Sequence, residues 1–461
     1  MKKFIHGLTK RYTLLLLVTT FTACEDFVTI DPPRTALVKT TVFDQDDTAE
    51  AALLDLYFQL RNLGFASGTN LSVSYLASLS SDEQISYYVG PGTGPEEFSQ
   101  FNQNTLLPAN SFVFRLWADL YSCIYKANAV LEGISSSTGM SEDKKKLLTA
   151  EAKFIRAFCN FYLVNLWGDV PHAISTNYQV NASITRTNTT VMYQQILSDL
   201  TEAKSALPDD YAHAGNERIR ANKSVTNALL ARAYLYTNDW QQAITASTEV
   251  INTSLFELLP NLNGVFLVNS KEAILQWWSN KRANERDTFR FLNTPSNGAL
   301  RPELVAAFET GDNRKTVWTS LRPTGLYSTQ KYISITSNPP TEYSTVFRLA
   351  EQFLIRAEAH TQLGDLPGAQ ADLNKIRNRA GLANTTASTK ADLLLAIEKE
   401  RRVEFFNEWG HRWFDLKRTG RAEAVLTPLK PQWKSTAQRY PIPESEINNN
   451  IGLQNAQNQG Y

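Results

Sequence analysis

Two stretches of this chain share one spacing, and that spacing restricts the fold more than any other feature. Leu230, Ala231, Tyr234, Asp239, Trp240 and Ala243 occur in order in the first. Ala357, His360, Gly364, Asp365, Leu366 and Ala369 occur in order in the second. The pairs Ala231/Ala357, Tyr234/His360, Asp239/Asp365, Trp240/Leu366 and Ala243/Ala369 are each 126 positions apart (357 less 231). Small residues let two helices touch, an aspartate marks the turn between them, and a bulky residue opens the second helix. Such a pair cannot bury its apolar side alone, so pairs stack.

This is tetratricopeptide spacing, and it predicts a mainly α chain built as a superhelix of helix pairs. The two units are not contiguous, so the array is not regular, and residues 111–166 are the best further pair. Thr48 to Leu63 places Ala52, Leu53, Leu56, Tyr57 and Leu60 near a 3.6-residue period. Helical texture returns at Phe112 to Ile134 and Ser141 to Leu166. Residues 64–110 are rich in Gly, Ser, Pro and Asn, and Gly90 to Pro95 reads as a loop. Residues 256–345 interrupt the helices. Ala273 to Trp278 reads there as a short strand, among Asn, Pro, Gly, Arg and scattered aromatics. A long irregular insertion in a helical scaffold is usually functional or disordered, and its aromatics argue for order.

The start of the chain has a different character. Lys2, Lys3, Lys10 and Arg11 precede the apolar run Tyr12 to Phe21, and Thr22-Ala23-Cys24 follows. That is a secretory signal over residues 1–23, ending in small residues before a cysteine. The apolar run reaches about 18 Å, against about 30 Å of hydrocarbon, so it is too short to span a membrane. Cys24 reads as a bacterial lipoprotein site, with residues 24–45 as a tether. The alternative is an ordinary signal beside a chance cysteine, and Phe21 stands where a lipobox usually has leucine. Removing four basic residues leaves 42 Lys+Arg against the 46 Asp+Glu of the whole chain, a net charge of −4. Nothing basic is left to suggest nucleic acid. Cys123 and Cys159 could pair in an oxidising envelope, but their helix-like apolar surroundings favour two buried free thiols.

Motifs for catalysis are missing. The sequence has no His-Glu-x-x-His, no Cys-x-x-Cys, no Walker loop and no Gly-x-Ser-x-Gly. We therefore expect no catalytic residue, no metal and no cofactor. Asp209-Asp210 or Glu96-Glu97 would serve glycoside hydrolysis only if a cleft set two carboxylates at the required separation. A sugar binder needs flat aromatic faces and planar polar groups instead. Tyr87 and Tyr88 lie near Asp82, and Trp277 and Trp278 precede Asn280 and Arg286, with Trp318 further on. Asp82, Tyr87, Tyr88, Trp278, Asn280, Arg286 and Trp318 are the candidate ligand-binding residues. Strand neighbours face opposite sides, which puts one of Trp277 and Trp278 in the core.

Five blocks resemble the SusD/RagB family. They are Glu151 to Ala157 running on to Leu166-Trp167-Gly168-Asp169-Val170-Pro171, Phe353 to Ala359, Glu400 to Phe405, Gly410 to Arg418, and Tyr440-Pro441-Ile442-Pro443 with Gln457 to Tyr461. The resemblance implies one domain over 46–461: an N-terminal part (46–255), the loop-rich insertion (256–345) and a C-terminal part (346–461). It implies helix pairs on one side and loops with short strands forming a ligand face on the other. It also implies an outer-membrane lipoprotein anchored at the cell surface. Such a protein captures oligosaccharide or another small nutrient for a SusC-type TonB-dependent transporter. Glu25-Asp26 is similar to the family's surface-export signal. The alternatives are a tetratricopeptide-type adaptor for protein or peptide, and a glycosidase. The charged residues of the blocks read as structural ion pairs, with Arg412 and Asp415 facing each other on one helix.

Overall fold

The computed structural model describes residues 42–66, 71–87, 96–278, 298–333 and 339–461. Helix α1 (Asp46–Asn62) buries Ala49, Leu53, Leu56, Tyr57 and Leu60 along one side. Helices α2 (Val73–Ser80) and α3 (Glu96–Gln103) follow, within the stretch whose composition reads as loop. Serine does not break α2, because its hydroxyls bond to the helix itself. Ser78 and Ser80 donate to the carbonyls of Ser74 and Leu76 at 2.6 and 3.1 Å, so the helix can be buried on every side.

The long helices begin at α4 (Ser111–Ser136) and α5 (Glu142–Trp167), each opened by a side-chain cap from Asn110 or Ser141. After them come α6 (Thr189–Ala206), α7 (Lys223–Tyr236) and α8 (Trp240–Ile251), then α9 (Leu349–Leu363), α10 (Leu366–Arg379), α11 (Lys390–Glu404) and α12 (His411–Arg418). From α4 to α11 each helix packs on the next, and α1 lies against α4 and α5. The two sequence repeats are thus α7–α8 and α9–α10. They are separated along the chain, yet α8 and α9 pack directly together.

The turn chemistry explains the spacing. Asn238 and Gly364 have φ of 61° and 87°, a left-handed conformation that glycine and asparagine tolerate best. Asp239 and Asp365 then cap the next helix, accepting from the backbone N–H of Gln242 and Gly368 at 3.3 and 3.0 Å. Ala231, Ala243, Ala357 and Ala369 are fully buried where the helices meet.

The strands form two-stranded antiparallel ladders: β1 (Gln84–Ser86) with β5 (Gly298–Leu300), β2 (Val170–Pro171) with β3 (Arg186–Thr187), β4 (Ala273–Trp277) with β8 (Ser344–Arg348), and β6 (Thr319–Leu321) with β7 (Tyr327–Thr329). The β4–β8 ladder closes the base of the excursion between α8 and α9, with Ala273 opposite Arg348 and Trp277 opposite Ser344.

Charged residues of the family blocks join these parts over long distances in sequence. Glu151 accepts both Arg220 Nε and Nη2, at 3.0 and 2.6 Å. Arg348 reaches Glu408 at 2.9 Å, Glu272 at 3.1 Å and also Glu404, and all four side chains are buried. Arg412 does not pair with Asp415 as the helical spacing predicts. It binds Asp82 and Glu398, whereas Asp415 takes Arg401 and Arg418. Tertiary partners place several acceptors around Arg348 and Arg412, which one partner on the same helix cannot do. The C-terminal tail clasps the end of α5: Trp167 Nε1 donates to Pro441 O at 2.8 Å, and Asn458 Nδ2 donates to Trp167 O at 2.8 Å and Tyr440 O at 2.7 Å. Cys123 on α4 and Cys159 on α5 are buried free thiols near each other.

Candidate ligand-binding site

Strand alternation decides the fate of the two adjacent tryptophans. Trp277 ends β4 at 1% exposure, its ring 6.2 Å from Tyr57 and edge-on to it. Trp278 follows on the outside at 40% exposure, 6.4 Å from the ring of Phe58, which is 46% exposed. Tyr57 and Phe58 are consecutive on α1, so two neighbouring aromatic pairs straddle the core boundary, one inside and one outside. The outer pair meets at 46° and presents a ridged apolar surface at the end of the β4–β8 ladder.

Tyr87 lies on a separate ladder. Ser86 pairs with Gly298, and Tyr87 follows it, half-buried, with burial pushing its phenol pKa up. A Cβ at Gly298 would come within 2.9 Å of the Ile85 carbonyl oxygen, so this register requires glycine there. Tyr88, Asn280, Arg286 and the lipidation candidate Cys24 lie outside the described residues.

Two candidates are buried. Asp82 is 1% exposed. Its carboxylate accepts Arg412 Nε and Nη2 at 2.7 and 3.0 Å and Arg402 Nη2 at 2.8 Å. Those cations hold its pKa below the ordinary carboxylate value despite a burial that pushes the other way. Trp318 is also 1% exposed, with its indole donating to Leu262 O at 3.2 Å. Its face is used, but by buried cations: Lys331, Arg379 and Arg348 lie 4.9, 5.6 and 5.7 Å from the ring. Phe58, by contrast, is absent from the sequence candidates. A single aromatic beside a helical stripe looks like any other surface residue, and only the partner ring distinguishes it.

Among the described residues, no group of three or more His, Cys, Asp or Glu has the arrangement of a metal site, and no helix is long and apolar enough to cross a membrane. On the helical side, Trp240, Gln362 and Leu395 line a concavity of about 510 Å³. Its acids Glu358 and Asp415 are already bound by Arg418.

The family profile described as "SusD family" matches residues 310–461, and one described as "Starch-binding associating with outer membrane" matches residues 93–235. In these two stretches the chain matches the SusD/RagB family. A SusD-like protein of Formosa agariphila is 26% identical, over 95% of this chain and 97% of that one. The starch-binding protein SusD of Bacteroides thetaiotaomicron is 35% identical over a shorter part, 31% of this chain and 25% of its own. Among solved structures, a SusD superfamily protein from Bacteroides vulgatus superposes with a TM-score of 0.78 at 20% identity, covering 91% of this chain and all (100%) of that one. A laminarin-binding SusD-like protein superposes at 0.75 with 26% identity, covering 90% and 99%. The mainly α, tetratricopeptide-like architecture is therefore the SusD fold.

Proposed function

We propose that this chain is a cell-surface lipoprotein that binds glycan and passes it to a SusC-type TonB-dependent transporter in the outer membrane. The observation that carries the reading is the exposed Trp278–Phe58 pair at the end of a strand ladder, in a chain that matches the SusD/RagB family. The apolar face of a pyranose ring needs such a surface, and hydroxyls can then bond to polar groups around it. Family relatives support the ligand class, since two of them are named for binding starch and laminarin. Asp82 and Trp318 leave the ligand set because both are buried, whereas Tyr87 stays in it together with Tyr88, Asn280 and Arg286. Cys24 supplies the lipid anchor, and the tether that follows it ends by Phe43, which is buried in the core.

The test is isothermal calorimetry of the mature chain against laminarin and starch oligosaccharides. Wild type should bind at least one of them, and the Trp278→Ala, Phe58→Ala double variant should not. Equal binding by the double variant would move the ligand face elsewhere. Membrane fractionation of Cys24→Ser tests the anchor, and co-purification with an outer-membrane barrel tests the transporter partnership.

A further inference from the structure

A second concavity, of about 240 Å³, lies between α4, the β2–β3 ladder and the C-terminal tail. Three aromatic side chains from α4 line it: Trp117, Tyr121 and Tyr125. Tyr121 and Tyr125 are one helical turn apart and so share a face. Trp117 is buried 4.8 Å from the Tyr121 ring, and Tyr125 is 52% exposed at the mouth. Glu446, from the tail, also lines it, with its carboxylate beside the Trp117 indole.

The pocket's hydrogen-bonding groups are unequally used. The Tyr121 hydroxyl donates to Pro171 O at 2.8 Å. Asn181 Nδ2 donates to Ser175 O at 2.8 Å. Asn450 donates to Ile184 O at 3.1 Å and accepts from Gly452 N at 2.8 Å. Asn181 Oδ1 is enclosed and has no partner. A carboxylate has room for about four hydrogen bonds, so Glu446 retains acceptor capacity beyond the Trp117 indole. The unused capacity is therefore mainly that of acceptors, and the ligand must donate. No Lys or Arg is among the residues lining the pocket, and Glu446 brings the one formal charge. Aromatic faces, a carboxylate and spare acceptors together suit a cation that donates several hydrogen bonds.

We propose that this pocket binds a ring-sized ligand carrying a primary ammonium group. The volume is below the usual range for extended small-molecule sites and suits a single six-membered ring. Two sources share that chemistry, an amino sugar and the N-terminal residue of a short peptide. The site is separate from Trp278 and stands or falls independently of the glycan reading.

The experiment is calorimetry or ligand-observed NMR on the mature chain with three probes: glucosamine, its neutral N-acetyl counterpart, and phenylalanine amide. One of the two amines should bind at least about tenfold tighter than N-acetylglucosamine, a factor equivalent to about 1.4 kcal/mol. Whichever amine binds tighter identifies the source. Glu446→Gln and Tyr125→Ala should each weaken that amine about tenfold, and Trp278→Ala should leave it unchanged. Burial raises the Glu446 pKa, so affinity should also fall as the pH drops through the titration of that group. Equal binding of the amine and N-acetyl probes would overturn the proposal, as would no binding of either amine or an unchanged affinity in Glu446→Gln.

Discussion

Asp82 is held by three guanidinium nitrogens, two from Arg412 and one from Arg402, with almost no access to water. Removing Arg412 leaves a buried carboxylate with one cation where it had two. Arg412→Ala should therefore destabilise the fold by on the order of 3 kcal/mol, read as a lower denaturation midpoint, while glycan affinity of the folded fraction stays unchanged. The adjacent Glu83 has the opposite problem. It is buried, accepts from Asn407 N at 3.2 Å, lies 2.9 Å from Ser78 Oγ, and has no cation in direct contact. Desolvation raises its pKa from 4.5 to about 7. The folded state binds this proton more tightly than the unfolded chain does, so the contribution is fully present below pH 4.5 and is lost as pH rises through about 7. Its size is on the order of 3 kcal/mol. Glu83→Gln should flatten the stability profile in that window, as measured by urea melts at several pH values. Both residues show where sequence patterning stops. Asp82 beside tyrosines looks like a sugar-binding acid, and only the third dimension reveals that Arg402 and Arg412 claim it. Trp318 misleads in the same way, because an aromatic that serves buried cations has the same composition around it as one that serves a ligand.

At the scale of elements, turn chemistry was the most readable part. Gly364 and Asp365 perform two jobs in consecutive positions, ending α9 and starting α10. Asp365→Ala loses the cap on Gly368 N, and also the contact with His360 Nδ1 at 2.8 Å. The expected cost is about 1 kcal/mol, seen in thermal unfolding. Gly364→Ala has free space for its methyl group but pays for a φ of 87°, about 1 kcal/mol again. The helix-pair spacing and the long helices from 111 to 167 are legible because each obeys a local period, and the strand at 273–277 because it is a short apolar run between turn-forming residues. Helix α2 is not, since its serines point inward to carbonyls four residues back, which composition cannot distinguish from a serine-rich loop. The short ladders are illegible for a related reason. Three residues of β1 carry no periodic signal, and their pairing with β5 spans more than 200 positions (84 to 300).

Over the whole molecule, the tail does more than finish the chain. Tyr440 is fully buried, its hydroxyl is 2.8 Å from Ser80 Oγ, and its backbone N–H donates to Leu166 O at 2.9 Å. It thereby connects α2, α5 and the C-terminal segment. Truncation after Arg439 should abolish the single cooperative unfolding transition and expose α5 to protease, while removal of residues 1–41 should not. A chain that still melted in one step after the truncation would show the clasp to be ornamental.

The packing of α8 directly on α9 means that the excursion between them starts and ends at neighbouring points. Closing a loop costs little more when the loop is longer, because the cost grows only with the logarithm of its length. The excursion is thus a cassette. It can be lengthened, shortened or rewritten while the helical chassis keeps its stability, provided two mounting bolts survive: Glu272 at the outgoing end and Arg348 at the return, joined at 3.1 Å.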